Sequence, residues 1–383
     1  MNVNQAIICS LLYVATFATY IDNLLPRYDV DGNILDSHDF SLNKYPNREG
    51  YYMISVAYGG CIEPKGQGCD QTPDKCGFQF NHTVNVWKSN DLSSGSWEFI
   101  SEAISPQMRP AGTLYRPDAI YNPNTNNVVL WHNWVHPDGT YAGYAAYTAP
   151  DPEGPYTLQR NITNVSVNNE TWHCGDFKLF IDPADKTPYA MMGCNFHMVI
   201  ERLLPNALDS ALDISPTGRF IFPEYFIEAP ALFERNGVYY ALFGHCCCYC
   251  YQGSGAIVHT APHPLGPWTS LGDVACVPDS SSSTSSSSSL FLEALGISAQ
   301  PTPGQGCQYV NASTTSSLRS QQSDVFEVDT PNGKEYVWAG DRWEQSWDGT
   351  KGHDPQLWVP IVFNDDNSIA PLRWLDNFTI DII

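Results

Sequence analysis

The stretch Ile227-Glu-Ala-Pro-Ala-Leu-Phe-Glu-Arg-Asn-Gly-Val-Tyr-Tyr-Ala-Leu-Phe-Gly-His245 decides how this chain is expected to fold. Two apolar runs flank Asn236-Gly237, and Asn-Gly between such runs is the strongest short signal for a β-hairpin. Pro230 fixes its own φ and favours extended backbone in the residue before it. Glu228 is therefore expected at the mouth of the hairpin, where apolar neighbours can raise the pKa of its carboxyl group. The alternative is an ordinary solvated glutamate at a strand end.

The same arrangement recurs along the chain: a polar residue, a short apolar run, a turn, and a second apolar run. Such radial repetition of small antiparallel sheets is typical of a β-propeller, in which the first residues of the innermost strands converge on the central axis. The five units are Asp39–Leu42 with Tyr51–Ser55, Arg116–Tyr121 with Val128–Trp131, Asp176–Phe180 with Tyr189–Met192, Glu228–Leu232 with Tyr239–Leu242, and Gln322–Phe326 with Tyr336–Ala339.

A second repeat supports this interpretation. The segment Thr148–Tyr156 returns as Thr260–Trp268 with six of nine residues identical, and each copy follows an apolar run. Each is expected to lead from the third strand of a blade to its outer edge. Because no amphipathic helical pattern persists, the predicted fold class is all-β, a five-bladed β-propeller. The only short helix expected lies between about Leu203 and Thr217.

Composition narrows the classes of partner. The formal net charge of −22 excludes the basic surface that nucleic-acid binding requires, and it disfavours anionic membranes and polyanionic glycans. The chain carries 11 Trp, 21 Tyr and 17 Phe, which suit both β-sheets and stacking on the apolar faces of sugars. No stretch after the first residues is long enough to span a bilayer.

The beginning of the chain predicts secretion. Residues 1–19 resemble a signal peptide, although the positive n-region is missing and an uncleaved anchor is the alternative. Residues 20–383 are expected to form a single catalytic propeller domain, interrupted by a serine-rich loop insertion at 279–289. Six Asn-x-Ser/Thr sites fit a secreted glycoprotein, at Asn81, Asn161, Asn164, Asn169, Asn311 and Asn377.

The 12 cysteines predict disulfides in an oxidising compartment. Cys61, Cys69 and Cys76 cluster in one loop, which is a candidate region for a local disulfide. The run from Cys246 to Cys250 crowds directly after the opening stretch, and a zinc site there is the alternative to disulfides. The pairing cannot be deduced from spacing.

The five units resemble glycoside hydrolase family 43, whose members are five-bladed propellers. Asp39-Phe-Ser-Leu, Arg116-Pro-Asp118, Asp176 with its Asp-rich turn, and Glu228-Ala-Pro-Ala-Leu stand at the positions of the family's strand motifs. The tail is similar to the exo-β-1,3-galactanase branch through Gly340-Asp-Arg-Trp343 and Leu357-Trp-Val-Pro-Ile361.

The resemblance implies an inverting mechanism, in which a protonated acid and a general base act on opposite faces of the sugar. It implies that Glu228 is the acid and Asp39 the base. Asp176 would raise the pKa of Glu228 through like-charge repulsion. Should Asp39 be only a strand-start residue, Gln322 or Asp118 is the next candidate to position the water.

The same resemblance implies further substrate-binding positions. Arg116 and Arg342 are each expected to bind a sugar hydroxyl or a catalytic carboxylate, with a structural ion pair as the alternative. Stacking platforms are expected at Tyr115, Trp343 and Trp358, with packing between blades as the alternative. No cofactor or metal is expected, because no acidic cluster has calcium-loop spacing, and a structural calcium ion on the axis stays open.

The functional expectation is a secreted, monomeric, inverting exo-glycoside hydrolase of a neutral plant- or algal-type polysaccharide, with galactan β-1,3-galactosidase as the first expectation. An α-L-arabinofuranosidase or β-xylosidase of the same family is the nearest alternative. A non-catalytic, lectin-like propeller is the alternative from another class. A structural glycoprotein of the cell surface is a third.

Overall fold

The computed structural model describes residues 17–63, 76, 79–167, 173–246, 253–276 and 318–383. Several expectations lie outside these ranges, namely the signal segment up to residue 16, the serine tract at 279–289, Cys69, the cysteines at 247, 248 and 250, and the glycosylation sites at Asn169 and Asn311. The first described strand, β1 (Phe17–Asp22), includes the end of the expected signal segment, so cleavage after residue 19 stays a prediction.

The hairpin predicted from the opening stretch is present, with strands β14 (Ile227–Arg235) and β15 (Val238–His245) joined at Asn236-Gly237. Both turn residues have positive φ, 53° and 81°, as a two-residue hairpin turn requires. Tyr240 and Leu242 lie in the core cluster shared with the next blade, whereas Ala241 and Phe243 lie in the cluster shared with the preceding one. This alternation is the period of two that the sequence shows.

The remaining strands form four more antiparallel sheets of the same kind. The first blade contains β2 (His38–Asn43), β3 (Tyr51–Ala57), β4 (Thr83–Ser89) and β5 (Glu98–Ile104). The second contains β6 (Thr113–Asn122), β7 (Asn127–Val135), β8 (Ala142–Ala149) and β9 (Thr157–Arg160). The third contains β10 (Cys174–Ile181), β11 (Pro188–Cys194), β12 (His197–Arg202) and β13 (Arg219–Ile221).

The fourth blade adds β16 (Ile257–Ala261) and β17 (Thr269–Asp273) to the opening hairpin. The fifth contains β18 (Gln321–Thr330), β19 (Gly333–Asp341) and β20 (Gln356–Pro360). A separate pair, β1 with β21 (Asn377–Ile382), packs against the fifth blade. The innermost strands contact one another in the order β2, β6, β10, β14, β18 and back to β2, so the sheets close into a five-bladed propeller, as predicted.

Apolar side chains fill each interface between neighbouring blades. One of the five clusters joins the second and third blades through Trp131 and Phe177, and another joins the fifth and first through Phe326 and Phe40. The two copies of the repeated segment, Thr148–Tyr156 and Thr260–Trp268, begin at the ends of the third strands β8 and β16, as expected.

The prediction of a short helix between Leu203 and Thr217 is wrong. That segment forms turns with a bridge between Leu203 and Ser210, because Leu203 and Leu208 pack into the cluster between the second and third blades instead of along a helix face.

Two disulfides with both partners described support the prediction from cysteine usage. Cys61 bonds to Cys76 in the loop where a local disulfide was predicted. Cys174 bonds to Cys194 across the first two strands of the third blade. In the described part of the chain, no helix is long and apolar enough to cross a membrane.

Candidate functional site

Each innermost strand is irregular near its first residues, where the five blades surround the axis. The pairing register shifts between His38 and Ser41 in β2, and the equivalent shifts occur near the start of β6, β10, β14 and β18. Asp39, Arg116 and Ala229 have positive φ values of 49°, 43° and 59° at these points. Bulges of this kind turn side chains away from the regular alternation, and strained residues of this kind cluster at functional sites.

Two of these strained residues precede prolines. Ala229 precedes Pro230 and Arg116 precedes Pro117. The extended backbone expected before Pro230 is therefore wrong, because the bulge holds Ala229 in a left-handed conformation. Its N–H donates to Asp176 Oδ2 at 3.0 Å, which ties the fourth blade to the third.

Arg116 lies at the centre of the site. Its Nε is 3.0 Å from Asp176 Oδ1 and its Nη2 is 3.5 Å from Asp39 Oδ1. The guanidinium also donates to the backbone oxygens of Gln322 and Ser323, at 3.1 Å and 3.3 Å. Burial acts to lower the pKa of Arg116, but the surrounding carboxylates, Asp176 first, raise it above its usual value. One permanent cation thus links the first, second, third and fifth blades.

Asp39 is almost completely buried beside this cation, with 6% of its surface exposed. The hydroxyl of Tyr58 donates to its Oδ2 at 3.0 Å, and its own N–H donates to Asp341 Oδ2 at 2.9 Å. Burial raises the pKa of Asp39 from 3.8 to about 6, and repulsion from Asp341 and Asp176 adds to this effect, whereas Arg116 opposes it. Asp39 is therefore a carboxyl group that ionises near neutral pH.

Glu228 lies partly exposed at the start of β14, and its pKa is raised well above the ordinary value. Burial is the largest cause, followed by the negative charge of Asp176, while Arg116 partly offsets both. Such surroundings favour the protonated form of a carboxyl group. The four side chains Asp39, Arg116, Asp176 and Glu228 are called the axial cluster below.

Gln321 determines how Glu228 is held. The indole Nε1 of Trp343 donates to Gln321 Oε1 at 2.7 Å, and Gln321 Nε2 donates to Glu228 Oε1. An indole N–H can only donate, so the amide oxygen must face Trp343 and the amide NH₂ must face Glu228. One oxygen of Glu228 is thereby occupied as an acceptor, which leaves the other to carry the proton.

The predicted Gln322 points elsewhere. Its Nε2 donates to the backbone oxygens of Ala229 and Leu242 at 2.7 Å and 3.1 Å, and its Oε1 accepts from Trp338 Nε1 at 2.8 Å. With no exposed surface, it fastens the fifth blade to the fourth. A role for Gln322 in positioning water stays a prediction, and the glutamine that reaches the axial cluster is its neighbour Gln321.

Asp118 lies one layer deeper along the axis. Lys178 Nζ is 3.3 Å from Asp118 and 2.8 Å from Asp324, and Leu179 N donates to Asp118 at 2.6 Å. This layer separates the axial cluster from a cavity of about 510 Å³ at the opposite end of the axis, which is lined by residues including Lys178 and Phe180. These contacts of Asp118 thus lie within the propeller, below the bulges.

The predicted stacking residues lie mainly in the packing. Trp358 has 1% of its surface exposed and is covered by the guanidinium of Arg27 at 3.6 Å from its ring centre. Trp343 also has 1% of its surface exposed; its indole N–H donates to Gln321, and its ring lies edge-on to that of Tyr58 with the centroids 6.0 Å apart. Tyr115 packs half-buried against the cluster between the first and second blades. The buried tryptophans are therefore placed as inter-blade packing.

Arg342 contacts the segment that follows β1. Its Nη1 donates to the backbone oxygen of Asn23 at 2.6 Å and its Nε to Gln345 Oε1 at 3.0 Å. Its guanidinium lies 4.7 Å from the ring centre of Trp374. These contacts are made with residues outside the axial cluster, and a role for Arg342 in binding sugar stays a prediction.

Three residues of the site were not predicted, namely Tyr58, Gln321 and Asp341. Tyr58 follows β3 and Asp341 ends β19, so both come from the second strand of a blade. Asp341 lies within the quoted Gly340–Trp343 motif, and that signal could have found it. Among the residues that the structure describes, no group of three or more His, Cys, Asp or Glu side chains is arranged to hold a metal ion.

No family model matches the sequence, and no curated protein matches it either. The fold is similar to that of an exo-β-1,3-galactanase from Clostridium thermocellum, with a TM-score of 0.68 and 20% identity over 94% of this chain and 67% of that one. An exo-β-1,3-galactanase from Phanerochaete chrysosporium, solved with β-1,3-galactotriose, has a TM-score of 0.65 at 18% identity, covering 95% and 69% of the two chains.

A family 43 β-1,3-galactosidase, solved with galactodeoxynojirimycin, has a TM-score of 0.64 at 18% identity and covers 93% of this chain and 99% of that one. The five-bladed fold implied by the sequence resemblance is therefore confirmed, and this chain shares it with solved exo-β-1,3-galactanases and with a β-1,3-galactosidase of glycoside hydrolase family 43.

Proposed function

We propose that this chain is a glycoside hydrolase of the family 43 type that cleaves by inversion. One observation carries the proposal: two carboxyl groups with raised pKa, those of Asp39 and Glu228, surround a single buried guanidinium on the propeller axis. Inverting hydrolysis needs one carboxylic acid that is protonated and one carboxylate that is ionised at the same pH. In this proposal Glu228 is the protonated group and Asp39, with its pKa of about 6, is the ionised one.

Glu228 is the general acid and Asp39 the general base in this proposal. The pKa of Asp39 is about 6, so this group is ionised above that pH, whereas burial and the negative charge of Asp176 favour the protonated form of Glu228. Water attacks the anomeric carbon as Asp39 accepts its proton. Glu228 gives its proton to the glycosidic oxygen, and the bond between that oxygen and the anomeric carbon breaks.

Asp176 modulates the acid. It is held by Arg116 Nε at 3.0 Å and by the N–H of Ala229 at 3.0 Å, so its position next to the start of β14 is determined from two sides. Its negative charge is the largest cause, after burial, of the raised pKa of Glu228. Arg116 compensates the charges of Asp39 and Asp176 and orients both groups.

The proposed substrate is a neutral, β-1,3-linked galactan that is cleaved from its end. The solved structures that share the fold act on β-1,3-galactan or β-1,3-galactosides by name, and one of them was solved with β-1,3-galactotriose. The net charge of −22 fits an uncharged glycan better than an anionic one. An α-L-arabinofuranosidase or β-xylosidase activity is the nearest alternative.

The protein is proposed to act outside the cell as a monomer. The disulfides Cys61–Cys76 and Cys174–Cys194 fit an oxidising compartment. The asparagines at positions 81, 161 and 377 are exposed, so these glycosylation sites are accessible. Secretion, cleavage of residues 1–19, and the absence of a cofactor belong to the proposal.

The test is hydrolysis of β-1,3-galactobiose and of aryl β-galactosides, α-L-arabinofuranosides and β-xylosides by the wild type and by Glu228→Gln. Loss of the acid is expected to reduce kcat by about 100- to 10,000-fold. Glu335→Gln, which changes an exposed glutamate on β19, is the matched control. Following the anomeric configuration of the first product by NMR then decides between inversion and retention.

Equal turnover by the wild type and Glu228→Gln would refute the assignment of the acid. A wild type that cleaves none of these substrates but binds β-1,3-galactotriose in calorimetry would instead support the lectin-like alternative.

A further inference from the structure

The turn between β11 and β12 contains a residue that its backbone conformation does not favour. Cys194 pairs with His197, so Asn195 and Phe196 form a two-residue hairpin turn. Their φ values are 46° and 65°, the pattern of a type I′ turn, which favours Asn followed by Gly. The chain follows this rule at Asn236-Gly237, but here a phenylalanine stands where glycine is favoured.

A second phenylalanine meets Phe196 under the same strain. Phe226 has a φ of 64°, and its ring stacks on that of Phe196 with the centroids 5.0 Å apart and the planes 30° from parallel. Tyr225 contacts Phe196 edge-on at 5.9 Å. A positive φ is a genuine outlier for a bulky residue, and such outliers persist at ligand-binding sites. Two independent segments thus adopt unfavourable backbone conformations and bring two aromatic rings together.

The rings are open to solvent. Phe196 has 46% and Tyr225 has 40% of its surface exposed. Packing in the core would bury aromatic rings, so exposed rings on strained backbone do not contribute to the core. Their flat faces are instead available to bind a flat apolar surface.

This aromatic surface adjoins the acid. Phe226 lies two residues before Glu228, and Ile227 N donates to the backbone oxygen of Phe196 at 3.2 Å. A Cβ built on Gly193, which precedes the turn, would lie 4.0 Å from the Cα of Glu228. The surface belongs to the third and fourth blades, whereas Asp39 belongs to the first, which adjoins the second and fifth. The rings therefore lie on the side of the axial cluster that is away from the proposed base.

We propose that Phe196, Tyr225 and Phe226 form a stacking platform for the sugar ring on the leaving-group side of the scissile bond. The inference rests on the proposed function. The acid protonates the leaving oxygen and the base activates water on the opposite face, so the leaving sugar lies beside Glu228 and away from Asp39. A galactopyranose ring presents a patch of C–H groups on one face, which matches the area of an aromatic ring.

The test compares two substrates that differ only in the leaving group. β-1,3-Galactobiose places a sugar on the platform, whereas β-D-galactosyl fluoride releases a single atom. In Phe196→Gly, the ratio of kcat/KM for galactobiose to kcat/KM for the fluoride is expected to fall by about ten-fold, the value of one aromatic contact. Glycine suits the turn, so the melting temperature is expected to stay the same or rise. An unchanged ratio would overturn the proposal.

Two further variants separate the platform from a general loss of structure. Tyr225→Ala leaves both strained residues in place and is expected to lower the same ratio. Phe99→Ala removes a phenylalanine that is 50% exposed on the outer strand β5, and it is expected to leave the ratio unchanged. A fall of the ratio in Phe99→Ala as large as in Phe196→Gly would also contradict the proposal.

If the proposed function is wrong, the wild type hydrolyses neither substrate, and this outcome differs from a failure of the platform alone. In that case the affinity for β-1,3-galactotriose is measured by calorimetric titration. Weaker binding by Phe196→Gly than by the wild type supports a sugar-binding platform. Equal binding by both proteins, or binding by neither, overturns it.

Discussion

Asp39→Asn is expected to stabilise the protein while it removes the proposed base. The substitution keeps the shape of the side chain and replaces an ionised carboxylate by a neutral amide. Burial raises the pKa of Asp39 from 3.8 to about 6, so ionising this group in the folded protein is unfavourable. The difference between the two pKa values corresponds to about 3 kcal/mol of unfolding free energy.

The sign of the effect depends on pH. A group whose pKa is raised by folding contributes stability while it is protonated, and this contribution is lost as the pH rises from about 4 to about 6. The wild type is therefore expected to be less stable than Asp39→Asn by about 3 kcal/mol at about pH 8, and by less than about 1 kcal/mol at about pH 4.

The measurement is urea-induced unfolding of both proteins at the two pH values, with galactobiose hydrolysis measured in parallel. Asp31→Asn, which changes an exposed aspartate, serves as the control and is expected to leave stability unchanged at both. If Asp39→Asn changes the unfolding free energy equally at both pH values, Asp39 does not ionise with a raised pKa in the folded protein. If it retains full turnover, Asp39 is not the base.

Three further perturbations test other parts of the site. Gln321→Ala removes a hydrogen bond that lowers the pKa of Glu228, so the alkaline limb of the pH–rate profile is expected to move to higher pH; an unmoved limb would contradict the orientation of the amide. Arg116→Ala leaves two buried carboxylates uncompensated and is expected to destabilise the protein by about 3–5 kcal/mol in urea unfolding at neutral pH, with smaller loss in acid. Replacing Cys174 and Cys194 by serine opens a loop with a sequence separation of 20 and is expected to lower the unfolding free energy by about 3 kcal/mol; the melting temperatures of the oxidised wild type and the double variant check this.

Much of the fold could be predicted because each blade repeats the same local signals. The turn at Asn236-Gly237 and the alternating apolar residues after it determine a hairpin without reference to the rest of the chain. Repetition then places the first residues of the inner strands around one axis. This reasoning brought together Asp39, Arg116, Asp176 and Glu228 before any contact was known.

The glutamine of the fifth blade shows where sequence reasoning fails. Side chains alternate strictly along a regular strand, but a bulge changes which of two neighbours faces the axis. The register of β18 shifts between Gln322 and Asp324, and it is Gln321 that reaches Glu228. Tyr58 was beyond prediction for another reason: it follows a second strand, whose end meets the axis only after the blades have closed. Asp341 also ends a second strand, and only the Gly340–Trp343 motif pointed to it.

The tryptophans illustrate a related difficulty. A tryptophan near a proposed sugar site is equally suited to stacking on a sugar and to filling the wedge between two blades. Trp343 and Trp358 are both buried, so the packing alternative describes their contacts. The exposed aromatic platform comes instead from Phe196, and its only sequence signal is a phenylalanine after Asn195 in a tight turn.

Electrostatics within the axial cluster gives the proposed acid and the proposed base different surroundings. Three carboxyl groups share one guanidinium, so they cannot all be ionised at low cost in a buried site. Arg116 lies 3.0 Å from Asp176 and 3.5 Å from Asp39, and these two carboxylates take up its charge. Burial raises the pKa of Glu228 well above its ordinary value, and the repulsion of Asp176 acts on this group more strongly than the attraction of Arg116. The different surroundings of the carboxyl groups therefore depend on where a single arginine lies, and the left-handed bulge at Arg116 is the backbone feature that places it there.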